Sequence, residues 1–350
     1  MYDITVNASK TYHVYAGSGL LEKTGEYAKS AGLSGKAAII SDDMVAPMYA
    51  DKVRTSLEEK GFEVCEFIFE HGEKSKNSDT FIEILNFLAQ NHFSRTDTLF
   101  ALGGGVTGDM TGFCAASFMR GINYVQLPTS LLAMVDSSVG GKTAIDLKYG
   151  KNLAGAFYQP EFVLCDIDSL QTLPEDFFAD GMAEVIKYAM IYDESIEELI
   201  VNGAKKNLEK LIARCIEIKS EVVRLDEFEG GLRKILNFGH TAGHAVEASS
   251  EYTISHGRAV AIGMHLVANA LEKEGDCKQG TTQRLVKMLD ICGLSHDCPY
   301  SAEVLADAAK SDKKASGASI DLVTVSCVGK SDYKKISMGE LKRLISKGLE

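Results

Sequence analysis

"TLFALGGGVTGDMTGF", residues 98–113, runs an apolar stretch into three consecutive glycines and then into small residues with Asp109 among them. A short apolar run ending in glycines predicts a buried strand, and the segment behind it predicts a helix. Three adjacent glycines cost strand and helix stability, so a plain tight turn is a weak explanation for them. At a strand-to-helix turn they let backbone amides approach a pyrophosphate, with the helix N-terminus facing it. The pattern departs from GxGxxG, which leaves a turn packed by small residues as the simpler alternative. Asp109 suits either an N-cap or a polar ligand contact.

The same rhythm extends outward. "KAAIISD" (36–42), "FEVCEFIFE" (62–70), "INYVQLP" (122–128) and "FVLCDI" (162–167) are short apolar, β-rich runs. Between the early ones, "MVAPMYADKVRTSLEEKG" and "SDTFIEILNFLAQNHF" carry apolar residues at helical spacing. Strand, helix, strand in this order predicts a Rossmann-like α/β domain with a mostly parallel sheet. From Leu173 onward long helical patterns dominate, among them "PEDFFADGMAEVIKYAMIY", "KNLEKLIARCIEIKSEVVRLDE" and "GRAVAIGMHLVANALEKEG", with a β-like "SIDLVTVS" (319–326) near the end. The expected organisation is an α/β domain over 1–175 and a mainly α-helical domain over 176–350. A cleft between domains is the natural place for a ligand.

Composition narrows the function classes. The chain has 350 residues, 45% hydrophobic and 25% charged, which is an ordinary soluble enzyme. A net charge of -12 argues against nucleic acid or an anionic membrane as partner, because a polyanion needs a basic surface. The N-terminal segment lacks a basic stretch followed by an apolar run, and a cytoplasmic location is expected. Eight scattered cysteines without a CxxC pair predict reduced thiols.

Several motifs carry chemistry. "VDSSVGGKTAID" (135–146) ends like a phosphate-binding P-loop, but the first glycine of that pattern falls on Asp136, so a nucleotide triphosphatase is a poor fit. What remains is a loop with Lys142, followed by Lys151 and Asn152 in "YGKNLAGAF", where ammonium groups can hold phosphate or carboxylate. In "DGMAEVIKYAM", Glu184 and Lys187 stand at i, i+3. The apolar neighbours suggest burial, where an ionised Glu needs a cation such as a metal.

"ILNFGHTAGHAVEA" (235–248) sets His240 and His244 one helical turn apart, which lets two imidazoles converge on zinc. Thr241 replaces the Glu that a zinc protease would need. "YTISHGRAVAIGM" adds His256, and Glu184, His240 and His256 together suit a catalytic Zn²⁺ with open coordination. Spacing alone nominates His240 and His244 equally well. Arg233 and Asn237 precede His240, and Lys219 lies on the preceding helix. Basic residues around every candidate motif of an acidic chain point to a small, highly anionic substrate.

Taken in order, "GGGVTGDMTGFCAASFMRG", "QLPTSLLAMVDSSVGGKTAIDLKYGKNLAGAFYQP", "LPEDFFADGMAEVIKYAMI" and "EGGLRKILNFGHTAGHAVEA", with "HGRAVAIGM" after them, closely resemble the 3-dehydroquinate synthase family of sugar phosphate cyclases. The match runs from about Asp42 to Lys314. The resemblance implies a dehydroquinate synthase-like fold and an NAD- and divalent-metal-dependent lyase, with zinc or cobalt, usually a homodimer. The implied reaction converts 3-deoxy-D-arabino-heptulosonate 7-phosphate to 3-dehydroquinate and phosphate by transient oxidation, elimination, re-reduction and aldol closure.

By motif match, the resemblance assigns Asp42, Glu73, Lys76, Gly104, Gly105, Asp109, Thr129 and Ser130 to the dinucleotide, with Lys142 and Lys151 beside them. Glu184, His240 and His256 become the metal ligands, which leaves His244 for proton transfer. Asp136, Lys142, Asn152, Lys187, Lys219, Arg233, Asn237, His244 and a lysine of "SDKKASG", Lys313 or Lys314, would surround the substrate. Arg120 resembles the family arginine that reaches a neighbouring subunit's phosphate site. Two departures keep the chemistry intact: Ser130 replaces a threonine, and Met134 a glutamine. Another sugar phosphate cyclase or a metal-dependent polyol dehydrogenase are the rival readings.

Overall fold

The computed structural model describes residues 1–312 and 319–350. It divides into two compact units, Met1–Pro174 with Lys219–Phe228, and Glu175–Ile218 with Glu229–Glu350.

The first unit begins with an antiparallel pair, β1 (Tyr2–Asn7) and β2 (Thr11–Gly17), whose alternating buried and exposed residues mark a half-buried sheet margin. After α1 (Thr24–Ser30) come β3 (Lys36–Asp42), α2 (Ala46–Glu59), β4 (Glu63–Phe69), α3 (Ser78–Gln90), β5 (Thr98–Gly103), α4 (Gly105–Ser117) and β6 (Asn123–Pro128). A separate hairpin of β7 (Lys142–Leu147) and β8 (Gly150–Phe157) precedes β9 (Phe162–Asp166). The seven-stranded sheet runs β1-β2-β9-β6-β5-β3-β4 and is parallel from β2 onward.

All six residues of β5 and all five of β9 are buried, as expected for central strands covered on both faces. Successive side chains alternate between two cores. Ile39, Phe100 and Leu102 join Val53 and Leu57 of α2 on one face. Ala38, Ile40 and Leu99 join Ile84 of α3 and Met110 and Cys114 of α4 on the other. The chain leaves β3 toward β4 but leaves β5 toward β6 on the opposite side, so a topological switch point lies where β3 and β5 end.

The second unit contains α5 (Glu175–Ile191), α6 (Ser195–Val201), most of α7 (Leu208–Leu225), α8 (His240–Ser249), α9 (His256–Glu274), α10 (Thr281–Ile291) and α11 (Ala302–Asp312). A hairpin of β10 (Ser319–Cys327) and β11 (Lys330–Ser337) and α12 (Met338–Leu349) complete it. A capping box starts α12: the Ser337 hydroxyl accepts from the Glu340 amide, and the Glu340 carboxylate accepts from the Ser337 amide. The last two helical turns of α7, from Lys219, belong to the first unit. There the Ser220 hydroxyl donates to the Thr5 carbonyl at 3.0 Å and the Ser9 amide donates to Glu227 at 2.6 Å.

One sequence expectation changes. The segment around Lys142, expected as a loop, is the β7–β8 hairpin; it pairs outside the main sheet, and the exposed residues of β8 conceal its strand character. The β10 segment has a partner in β11, a polar run with a single fully buried residue, Ile336. No described helix is long and apolar enough to cross a membrane, and all eight cysteines are free.

Candidate functional site

In the first unit the glycine turn sits at the switch point. Gly104 precedes α4 in an extended conformation, and no side chain caps the helix. A Cβ on Gly104 or Gly105 would point at the Ser130 or Ser137 hydroxyl, 3.5 and 3.2 Å away, filling space over the helix N-terminus. That space and the amide-bearing helix end fit a dinucleotide pyrophosphate. Further along α4, a Cβ at Gly108 would fall 2.6 Å from Gln126 Oε1 and one at Gly112 2.4 Å from Thr143 Cγ2, so these glycines let the helix lie against β6 and β7. Thr129 and Ser130 follow β6, with the Thr129 amide donating to the Gly103 carbonyl at 2.9 Å. Asp42 ends β3, where its carboxylate accepts from the Met44 and Val45 amides.

Lys76, Asp109 and Asn152, from three separate sequence segments, meet directly. The buried Lys76 ammonium donates to Asp109 Oδ2 at 2.7 Å and to Asn152 Oδ1 at 2.6 Å. Burial opposes the charge on Lys76, but Asp109, Glu73 and Asp146 together outweigh it and the ammonium titrates above its ordinary range. Burial likewise pushes the Asp109 carboxyl up, against the pull of Lys76. Asn152 adopts a positive φ of 55°, held by its amide bonded to Asp146 at 2.7 Å. Asp146, which sequence reasoning passed over, therefore shapes this turn. Glu73 and Lys151 lie 3.8 Å apart at the surface, and Lys142 opens β7 with an exposed side chain.

A second contact joins Asp136 and Lys219. Asp136 lies in a π-helical turn, Ala133–Ser137, and the largely buried Lys219 donates to both its carbonyl, at 2.7 Å, and its carboxylate. Arg120 lies in an exposed turn after α4 where Met119, Arg120 and Gly121 have φ of 50°, 66° and 127°.

In the second unit, α8 and α9 approach backbone to backbone. A Cβ at Gly263 would lie 2.0 Å from the Gly239 carbonyl oxygen, and one at Gly243 3.0 Å from the Ala259 carbonyl. This close crossing sets His240 and His244 beside His256, with the three ring centroids 5.3 to 6.0 Å apart. The start of α9 is pinned to α5, because Asp180 accepts from the Ser255 hydroxyl at 2.6 Å and the Arg258 amide at 3.1 Å.

Glu184 of α5 is completely buried. Its Oε2 pairs with the buried Lys187 ammonium. Its Oε1 lies 3.7 Å from His240 Nε2 and 3.5 Å from His256 Nε2. Ligand atoms held tetrahedrally around zinc at its usual bond lengths are separated by roughly 3.4 Å, close to both distances from Glu184 Oε1, and the ligand atoms of Glu184, His240 and His256 all lie within 4.8 Å of one another. Each imidazole is oriented through its other nitrogen: His240 Nδ1 lies 3.1 Å from the Phe238 carbonyl and His256 Nδ1 3.2 Å from Glu247 Oε2. The donor set and its spacing fit a divalent metal.

His244, Glu247 and His256 form a second group with ligand atoms within 4.8 Å of one another. Burial pushes His240 down to about 3, favouring the neutral imidazole that a metal requires. For His256 burial acts in the same direction, but Glu184 and Glu247 overcome it and raise the group to about 10.

Arg233 is almost wholly buried in the Leu232–Asn237 turn, and Asn237 donates to Glu229 at 2.7 Å. Lys313 and Lys314 lie outside the described residues. Sequence reasoning missed Glu229 and Glu247. Glu247 was detectable, since it stands three residues beyond His244 and seven beyond His240 on one helix face.

Family models described as 3-dehydroquinate synthase N-terminal and C-terminal match residues 66–180 and 181–315. The 3-dehydroquinate synthase of Streptococcus thermophilus is 43% identical over 344 residues, 96% of this chain and 97% of that protein. A 2-deoxy-scyllo-inosose synthase solved with carbaglucose-6-phosphate, NAD+ and Co2+ superposes with a TM-score of 0.89 at 26% identity, covering 99% of this chain and all of that one, 100%. The fold is also that of a 2-epi-5-epi-valiolone synthase from Streptomyces hygroscopicus subsp. jinggangensis 5008, solved with NAD+ and Zn2+, with a TM-score of 0.87, 22% identity and 99% coverage of both chains.

Proposed function

Because the chain belongs to the 3-dehydroquinate synthase family, we propose a division of labour among its residues for that family's reaction. The activity is that of a carbon-oxygen lyase, converting 3-deoxy-D-arabino-heptulosonate 7-phosphate to 3-dehydroquinate and phosphate. NAD supplies a hydride acceptor that is restored at each turnover, and a divalent metal supplies Lewis acidity at the substrate's hydroxyls.

The first unit's share is dinucleotide binding, by Gly104 and Gly105 at the α4 N-terminus with Asp42, Glu73, Lys76, Asp109, Thr129, Ser130 and Lys151. Lys76 acts by fixing Asp109 and Asn152 in one arrangement, which its two hydrogen bonds support, with Asp146 holding the Asn152 amide. Lys142 and Lys219 supply cationic charge for phosphate and carboxylate, Lys219 being aimed by Asp136. The second unit's share is the metal, held by Glu184, His240 and His256. Lys187 orients the Glu184 carboxylate, Arg233 and Asn237 bind the substrate's polar groups, and His244, exposed beside both ligand imidazoles, moves a proton. Lys313 or Lys314 is proposed as a further cation. The observation that carries this reading is Glu184 Oε1 standing 3.5 and 3.7 Å from two imidazole nitrogens whose opposite nitrogens are both held.

We further propose that the chain works as a cytoplasmic homodimer in which Arg120 serves the neighbouring subunit's phosphate site. Eight free thiols support a reducing compartment. The consecutive positive φ values at Met119 and Arg120 support a functional turn, since such conformations cost of order 1–3 kcal/mol each and persist where the surroundings enforce them.

The deciding experiment supplies the heptulosonate phosphate with NAD+ and zinc and follows phosphate, NADH and product. Stoichiometric phosphate and 3-dehydroquinate without net NADH is expected. Net NADH would indicate a dehydrogenase, and turnover of a hexose phosphate instead would indicate another cyclase.

A further inference from the structure

We propose that Glu247 is the positioning residue for the metal ligand His256, setting which of its nitrogens faces the cation. The proposal rests on the metal reading of Glu184, His240 and His256. Glu247 is buried on α8, with its Oε2 3.2 Å from His256 Nδ1 on α9. The opposite nitrogen, Nε2, faces Glu184 Oε1 at 3.5 Å. An imidazole that donates one N–H to a carboxylate presents the lone pair of the other nitrogen, so the Glu247 bond selects the tautomer that ligation needs.

The two ligand histidines are oriented differently. His240 is held by the Phe238 carbonyl, two residues away along its own chain, and keeps that partner whatever α9 does. His256 is the first residue of α9, and its Ser255 N-cap makes no side-chain capping bond within the helix. Its two ring nitrogens face groups on other helices, Glu247 on α8 and Glu184 on α5. A carboxylate on His256 also raises the basicity of the nitrogen that meets the cation, which a carbonyl does more weakly. Helical phase places His240, His244 and Glu247 on a single face of α8. One helix thus supplies a ligand, the proposed proton carrier and the strut for the ligand that comes from the next helix.

Glu247 also belongs to the group His244, Glu247 and His256 that could itself hold a cation, and the experiment separates the two roles. Cobalt is titrated into the metal-free wild-type chain and into Glu247→Ala and Glu247→Gln, reading affinity by chelator competition, stoichiometry, and the visible d–d spectrum. NAD+ affinity and the melting temperature of the metal-free chains report intact folding, and Glu247→Gln keeps an acceptor for Nδ1 should Glu247→Ala fold poorly. One cobalt per wild-type chain is expected. Glu247→Ala should bind it about 10- to 100-fold more weakly with an altered spectrum, and Glu247→Gln should lose less affinity because its amide oxygen still accepts the N–H. Unchanged affinity and spectrum in both variants would overturn the proposal. So would two cobalt ions per wild-type chain falling to one, which would make Glu247 a ligand. A wild-type chain that takes up no cobalt overturns the metal reading itself.

Discussion

Glu184 divides its two oxygens between a buried ammonium and a pair of imidazoles. Glu184→Gln removes the negative charge from both at once. Breaking a buried ion pair by neutralising one partner costs about 3–5 kcal/mol because the other charge stays behind, here on Lys187. The variant should melt at lower temperature, lose its metal on dialysis and still bind NAD+, as metal analysis and cofactor titration would show; metal retained at wild-type affinity contradicts the ligand assignment. His265 gives a pH prediction away from the site. Burial, reinforced by the nearby His296, pushes it down to about 4. Its folded pKa lies below the ordinary 6.5 of the unfolded chain, so below that pH the unfolded state takes up a proton that the folded state refuses. Stability should fall as pH drops from about 6.5 toward about 4 and level off below for this group. His265→Gln should flatten that decline in the melting temperature, and an unchanged slope would place the titration elsewhere.

The crossing of α8 and α9 depends on residues without side chains. Gly263→Ala would put a methyl group 2.0 Å from a backbone oxygen of Gly239 that no rotamer change can move aside. Overpacking of this kind typically costs about 1–3 kcal/mol. Parting the helices should also weaken metal binding, since His240 and His256 sit on opposite sides of the crossing; calorimetry and metal titration would measure both effects, and a loss of stability without a loss of affinity would uncouple them. Element by element, legibility followed burial. Fully buried β5 and β9 were readable as unbroken apolar runs, and the glycines after β5 fixed where the helix begins. The β7–β8 hairpin was not, because half-exposed strands with Lys142, Lys151 and Asn152 look like a polar loop. Glu184, His240 and His256 could be nominated from residue type and apolar surroundings. Spacing along the chain did not choose between His244 and His256, since the distances that favour His256, those to Glu184 on α5, lie between helices and not along one. Glu247 was legible through helical phase but looks like an ordinary surface acid without its partner on α9 in view.

At the scale of the whole molecule, the proposed homodimer makes a prediction that a monomer cannot meet. If Arg120 of one subunit serves the site of the other, Arg120→Ala and Glu184→Gln chains are each inactive alone, but a mixed dimer contains one site with both native residues. Mixing and exchanging the two variants should restore phosphate release, up to about a quarter of wild-type activity for random pairing, whereas no recovery from demonstrably mixed dimers would place Arg120 in its own subunit's chemistry. The path of α7 carries another consequence. Its residues up to Ile218 belong to one compact unit and those from Lys219 to Phe228 to the other, where Lys219 holds Asp136, Ser220 bonds Thr5 and Glu227 bonds Ser9. A gene fragment ending at Pro174 would therefore encode a sheet lacking three of its fastenings, and recombination could not transplant that half with a single breakpoint. The interleaving ties the inheritance of the two halves together.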